Sequence, residues 1–253
     1  MKGKFSLIVG KEWVIALVVA LALIVAILSL PNILEPVAKS MVESAGPYWL
    51  LAVLAVGVIH GLKPDEHTWP ITVSYSLMQR NVRGVVASTS VFAGALTLVW
   101  TLMSALVGQL MNLLDINALE PYVDLIVGLT MVSVAAYLVF GNHKEHGDVK
   151  TADYKLIWVH GLAAAFGGDF FIVLILTVAI APAITTSISF MVGLVFGLGS
   201  LAAQMLVVLL IYKGVIRGVR DWSIMAKAGR IALGILGIFM ITLGLLAMYC
   251  GCV

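Results

Sequence analysis

The stretch "VIHGLKPDEHTWP", Val58 to Pro70, decides how this chain must be read. Two histidines, an aspartate, a glutamate and a lysine fall within eight residues, His60 to His67. Apolar runs flank the stretch in a chain of 253 residues that is 62% hydrophobic and only 11% charged. Soluble domains are nearer half apolar and about a quarter charged. With a mean hydropathy of +1.10, the apolar excess is more than one core can hide, so lipid is the solvent for much of the surface. The runs are continuous rather than alternating, which argues against a membrane β-barrel. The expected class is all-α, a polytopic helical membrane protein.

Seven apolar segments are long enough to be spans at ~20 residues per crossing. They are Trp13–Leu30, Tyr48–Gln79, Val85–Met111, Tyr122–Phe140, Leu156–Ile180, Ile184–Tyr212 and Ile231–Tyr249. The first is long for a secretory leader and has no clear small-x-small cleavage site, so it is expected to be retained. Seven crossings place alternate loops on alternate sides. One set holds 13 lysines and arginines, Lys2, Arg80, Lys150, Lys213 and Arg230 among them; the other holds only Lys39. The positive-inside rule then puts the amino terminus in the cytoplasm and the carboxyl terminus outside the cell membrane.

The same bias constrains the opening motif. A chain that turned back at Pro64 would send Arg80 and Arg83 outward and destroy the pattern. Tyr48–Gln79 is therefore expected to cross once. As one helix its 32 residues would reach ~48 Å, against ~30 Å of hydrocarbon. A broken span resolves the excess. Gly61 and Pro64 are the expected break, since proline has no backbone N–H. Pro64-Asp65-Glu66 reads as the first turn of a new helix, with its acids at the positive end.

"VIHGL" at Val58–Leu62 has an echo in "WVHGL" at Trp158–Leu162. Each is followed by glycine or proline and an aspartate, Asp65 in the first and Asp169 within "FGGDFF" in the second. Each motif opens a group of three spans. Three is odd, so the second group enters the membrane from the opposite side, giving a 3+3 inverted repeat of the kind found in transporters. The expected division is residues 1–46 for an extra N-terminal span and external loop, 47–141 for repeat one, 142–156 for a cytoplasmic loop and 157–253 for repeat two.

Ionisable groups at hydrocarbon depth are usually functional or paired. On one unbroken helix His60 and His67 would share a face but lie ~10 Å apart along the axis. Two donors ~2.1 Å from one ion cannot be so far apart. The break is thus required if His60, Asp65 and His67 are to converge. Imidazole with carboxylate suits nickel, cobalt or zinc, and no thiolate is near to favour copper(I). The plainer reading makes His60 a packing residue and residues 65–67 a wet interfacial loop. Glu66, His160, Asp169, Ser88, Thr89 and Ser90 are further candidates for a pathway or a second-repeat site, against helix packing as the alternative. His143 and His146 in "GNHKEHGDVK" are candidates for a loose cytoplasmic metal loop, against a merely solvated one. Cys250 and Cys252 sit in a short tail, "YCGCV", that reads as a frayed terminus.

"HGLKPDEH" resembles the signature of the nickel/cobalt transporter superfamily, a histidine, four residues, then aspartate-histidine in the second span. His60 and Asp65 keep that spacing; Glu66 intervenes and displaces His67 by one position. "FGGDFF" is loosely similar to the family's later glycine-rich aspartate segment, and "NHKEH" to a reduced histidine-rich loop. The resemblance implies a secondary transporter of Ni2+ or Co2+, with His60, Asp65 and His67 handling the ion. The metal would be substrate, with no permanent cofactor, no nucleic-acid partner and no enzymatic activity. Two alternatives stand beside it: a LysE-type exporter of another small substrate, and an intramembrane zinc metalloenzyme built on His60, His67 and His160 with Asp65 as base.

Overall fold

Where the apolar runs are unbroken, the chain forms long helices; where glycine and proline interrupt them, it forms short ones. The computed structural model describes residues 10–29, 40, 46–65, 67–110, 120–140, 153–166, 168–180, 185–219 and 221–250. Among these, the regular elements are all helical. They are α1 (Lys11–Ser29), α2 (Trp49–Leu62), α3 (Trp69–Leu77), α4 (Val82–Leu110), α5 (Glu120–Phe140), α6 (Tyr154–Ala164), α7 (Gly168–Ile180), α8 (Phe190–Gly218) and α9 (Trp222–Cys250). Single 3-10 turns at Gly46–Tyr48 and Thr186–Ile188 lead into α2 and α8.

Among the described residues, four helices are long and apolar enough to cross a membrane, over Lys11–Leu28, Val82–Leu106, Phe190–Val215 and Trp222–Tyr249. Large apolar side chains stay on their surfaces: Val18 is 62% exposed, Leu210 63% and Ile238 59%. Water would penalise such surfaces, and hydrocarbon does not. The chain is a helical membrane protein. Helix α1 illustrates the partition. Ala16, Val19, Ala20, Leu23 and Ile27 are buried at helical spacing, on the side that packs against α9. Val14, Val18, Leu21, Val25 and Leu28 cover the opposite face.

Close approaches fix the direction of each helix pair. Ser104 in α4 donates its hydroxyl to the Phe190 carbonyl at 3.4 Å and accepts from the Gly193 N–H at 3.1 Å. Gly193 meets Trp100 and Gly197 meets Thr97, so α4 and α8 run antiparallel. Gly128 meets Ile241 while Gly234 meets Ala135, so α5 and α9 are antiparallel too. At the far end of that pair, Arg230 donates to the Leu138 carbonyl at 2.7 Å. By contrast α2 runs parallel to α8, with Gly57 on Phe196 and Gly61 on Ser200. Helix α6 runs parallel to α4, with Gly161 on Phe92 and Ala95, and Ala165 beside Trp100. Small residues at these crossings let backbones approach as larger ones cannot.

The first break falls near its expected place but differs in detail. Helix α2 stops at Leu62 because Lys63, preceding proline, is extended (φ −69°, ψ 123°). Pro64 does not open the next helix. Residues 64–65 and 67–68 are irregular, and α3 starts only at Trp69, with Pro70 in its first turn. The acids expected at the positive end of a new helix therefore lie before it. The segment expected as one span over Leu156–Ile180 is two helices, α6 and α7. The last segment starts earlier than its apolar run, at Trp222. There Asp221 Oδ1 accepts from the Ser223 N–H at 2.8 Å. Hydrogen bonds from Ser223, its hydroxyl foremost, hold the exposed Asp221 carboxyl below the usual range. The tail with Cys252 and the loop 142–152 with His143 and His146 lie outside the described residues.

The α4–α8 contact gives a clean prediction. A methyl group at Gly193 would run into the Trp100 carbonyl, whereas one at Gly214 meets nothing within 4 Å. Gly193→Ala should lower stability in detergent by about 1–3 kcal/mol, measured by equilibrium unfolding in mixed micelles. Gly214→Ala should be neutral or stabilising by up to ~1 kcal/mol. Equal effects of the two would contradict the close-packed interface.

Candidate functional site

The opening motif is buried. Relative exposure is 5% for His60, 4% for Asp65 and 0% for His67, so the wet-loop reading of these residues does not hold. Helix α3, which follows, is buried at all nine of its positions. Nine residues cannot bury every side without being enclosed by other helices, and α3 contacts α4, α8 and α9. Its sequence "WPITVSYSL" is correspondingly polar for an enclosed segment. Thr72 and Ser76 return their hydroxyls to the Thr68 and Val73 carbonyls at 2.8 and 2.7 Å. Ser74, also fully buried, makes no hydrogen bond to the described residues.

An interrupted helix exposes carbonyls that lipid cannot satisfy. Tryptophans meet this need at both breaks. Trp69 Nε1 donates to the Gly61 carbonyl at 3.4 Å, at the end of α2. Trp100 Nε1 donates to the Ala165 carbonyl at 3.1 Å, at the end of α6. The end of α3 is held likewise, by Tyr212, whose hydroxyl donates to the Gln79 carbonyl at 3.0 Å.

The two histidines of the HGL motifs sit differently. His60 lies among aromatic rings of α4 and α8. Its centroid is 5.0 Å from Phe196 and 6.1 Å from Trp100, the latter edge-on. His160 is 2% exposed and its Nδ1 lies 2.8 Å from the Tyr75 hydroxyl. Its Nε2 is buried and makes no hydrogen bond to the described residues. That contact joins α3, the short helix after the first break, to α6, the short helix before the second. Either the hydroxyl donates to Nδ1 or a protonated Nδ1 donates to the hydroxyl oxygen. In the second tautomer Nε2 keeps a lone pair for a proton or a cation.

The remaining candidates divide. Ser88 is buried but returns its hydroxyl to the Val85 carbonyl at 3.1 Å, as a packing serine does. Thr89 is buried, with Oγ1 making no hydrogen bond to the described residues, and Ser90 is half-buried. Beside these candidates, Gln204 in α8 is 1% exposed, and its Oε1 makes no hydrogen bond to the described residues. Glu66, the side chain of Asp169, and His143 and His146 lie outside the described residues. Among the described residues no three His, Cys, Asp or Glu side chains gather closely enough to hold one metal ion. The expected convergence of His60, Asp65 and His67 on a shared ion is thus not present in this arrangement.

Tyr75 and the two capping tryptophans were not among the candidates read from sequence. Tyr75 had one legible signal, its place in a polar run just after the break; the tryptophans read only as apolar bulk. Compared with known proteins, the chain matches no family model, no curated protein and no solved structure.

Tyr75 and His160 should be energetically coupled. Tyr75→Phe removes one partner of a buried hydrogen bond and should cost about 1–3 kcal/mol. The Tyr75→Phe/His160→Phe double variant should cost less than the sum of the two single ones. Additive losses in equilibrium unfolding would contradict the bond.

Proposed function

We propose that this protein is a seven-span permease with a 3+3 inverted repeat behind an added first span, and that its substrate is a divalent transition-metal cation, Ni2+ or Co2+. The observation that carries the reading is a correspondence between the two HGL motifs. Gly61 abuts Ser200 and Ala203 on α8, and Gly161 abuts Phe92 and Ala95 on α4. The two landing sites share one offset of 108 positions, 92 to 200 and 95 to 203, as do the helix ends, 82 to 190 and 110 to 218. Helices α4 and α8 have 29 residues each. Because α2 is parallel to α8, α6 parallel to α4, and α4 antiparallel to α8, the two motifs point in opposite directions. That relation is the one an inverted repeat requires.

Lengths support seven crossings. Helices α2 and α3 have 14 and 9 residues, together ~35 Å of helix. Helices α6 and α7 have 11 and 13, ~36 Å. The helical residues of each pair are already enough to cross ~30 Å of hydrocarbon. Histidine 60, Asp65, His67 and His160 then lie buried at or near the breaks, where transporters bind substrate.

In the proposed cycle the cation meets these groups in turn, each replacing part of its water shell, and the two repeats rock to expose it on the other side. A transport site must hold its ion weakly enough to release it. Imidazole and carboxylate bind metal only when deprotonated, so flux should fall as pH falls. The enzyme alternative needs three protein ligands on one zinc, and no such set supports it among the described residues. Export of another small substrate is the second reading, favoured by the packing of His60 against Phe196 and Trp100.

The test is flux through the full chain in proteoliposomes, with a panel of divalent metals and amino acids at two pH values. Ni2+ or Co2+ should move, more slowly at the lower pH. His60→Ala and Asp65→Ala should each slow transport at least about tenfold. Metal flux unaltered in both variants, or flux of amino acids alone, would overturn the metal reading.

A further inference from the structure

A second feature lies away from the breaks and depends only on this being a membrane protein. The first turn of α1, the last turn of α5 and the second and third turns of α9 surround a cavity of about 270 Å3, lined by Glu12, Trp13, Val139, Lys227, Arg230 and Ile231. That is room for roughly nine waters at ~30 Å3 each. Trp13 and Val139 are about half exposed, at 48% and 50%, so the cavity opens toward the surrounding lipid. A tryptophan in this position is typical of the interface between hydrocarbon and headgroups.

Its charges are not internally neutralised. Among the described residues, neither Lys227 nor Arg230 forms an ion pair with Glu12, although all three line the same space. The Glu12 carboxylate folds back over Gly10, at the positive end of α1, and so is already turned to its own helix. Arg230 is held in place by donating Nε to the Ala226 carbonyl at 3.3 Å and a terminal nitrogen to the Leu138 carbonyl at 2.7 Å. The guanidinium is therefore pre-ordered, with donors to spare. Lys227 is exposed. Its charge acts weakly on Asp221, whose carboxyl is held first by Ser223.

We propose that this cavity is a binding site for the headgroup of an anionic phospholipid. The phosphodiester would accept from Arg230 and Lys227, its glycerol backbone would lie beside Trp13, and its chains would run down the apolar surface by Val139 and Ile231. Basic pockets between membrane helices bind anionic headgroups by this combination of charge and interfacial depth. A zwitterionic lipid offers the same phosphate but brings a cation that Lys227 and Arg230 repel.

Native mass spectrometry of the full-length, delipidated protein tests this directly. The probes are phosphatidylglycerol, phosphatidylcholine of the same chains, and inorganic phosphate. One phosphatidylglycerol should be retained per protein, in preference to phosphatidylcholine. Lys227→Gln should weaken its retention about fivefold, the effect of one interfacial cation. Among the described residues Lys227 makes no side-chain hydrogen bond, so this variant keeps the packing that replacing Arg230 would disturb. Glu12→Gln should tighten retention, because it removes the acid that lines the cavity among the described residues. Equal retention of the two lipids, or no response to either variant, would overturn the proposal. So would displacement of the lipid by inorganic phosphate at equal concentration, since the ion alone would then suffice.

Discussion

A helix interrupted inside a packed helical bundle must find protein partners for the carbonyls it frees. That requirement organises this molecule. Trp69 and Trp100 close the ends of α2 and α6, and Tyr212 closes the stretch after α3. Trp69 comes from just past the break itself, whereas Trp100 and Tyr212 come from α4 and α8, so two of the three closures depend on the long helices lying at close range. Glycines at 57, 61, 161 and 193 make that range possible. Between the closed ends lies α3, enclosed on every side and rich in hydroxyls. Polar groups at this depth are expensive to bury, which is why their concentration next to two buried histidines reads as a site rather than as packing alone.

Much of the architecture was legible from the residues. Apolar runs located α1 and α4 to within three positions, α8 only to within six, and missed the first nine residues of α9; Gly61 with Pro64 marked the first break. The finer errors have physical causes. Pro64 suggested a helix start, but its effect falls on Lys63, which it forces to be extended, and the irregular segment continues as far as Thr68. Trp222 to Arg230 looked like a loop because it carries Asp221, Lys227 and Arg230 at its edge; Asp221 instead caps the helix and starts it early. Gly61 was read as part of the break, yet its role lies in contact with Ser200 and Ala203, which no local pattern encodes.

The candidate site was only partly legible, for the same reason. Local spacing identified His60, Asp65, His67 and His160 as buried groups of interest. It had no means of finding Tyr75 as the partner of His160, 85 positions away. Nor did it anticipate that the His60 ring would pack against Phe196 and Trp100. Convergence of side chains is a property of packing, and packing is where sequence periodicity stops.

The central claim is that Tyr48–Gln79 crosses the membrane once, through its break, so that two oppositely directed halves face each other. Single cysteines at Tyr48, Asn81, Lys155 and Ser187, in a background with Cys250 and Cys252 replaced by serine, report this through a membrane-impermeant maleimide applied to sealed vesicles of known orientation. The account predicts that positions 48 and 187 react from one side, and positions 81 and 155 from the other. Reaction of positions 48 and 81 from the same side would contradict it.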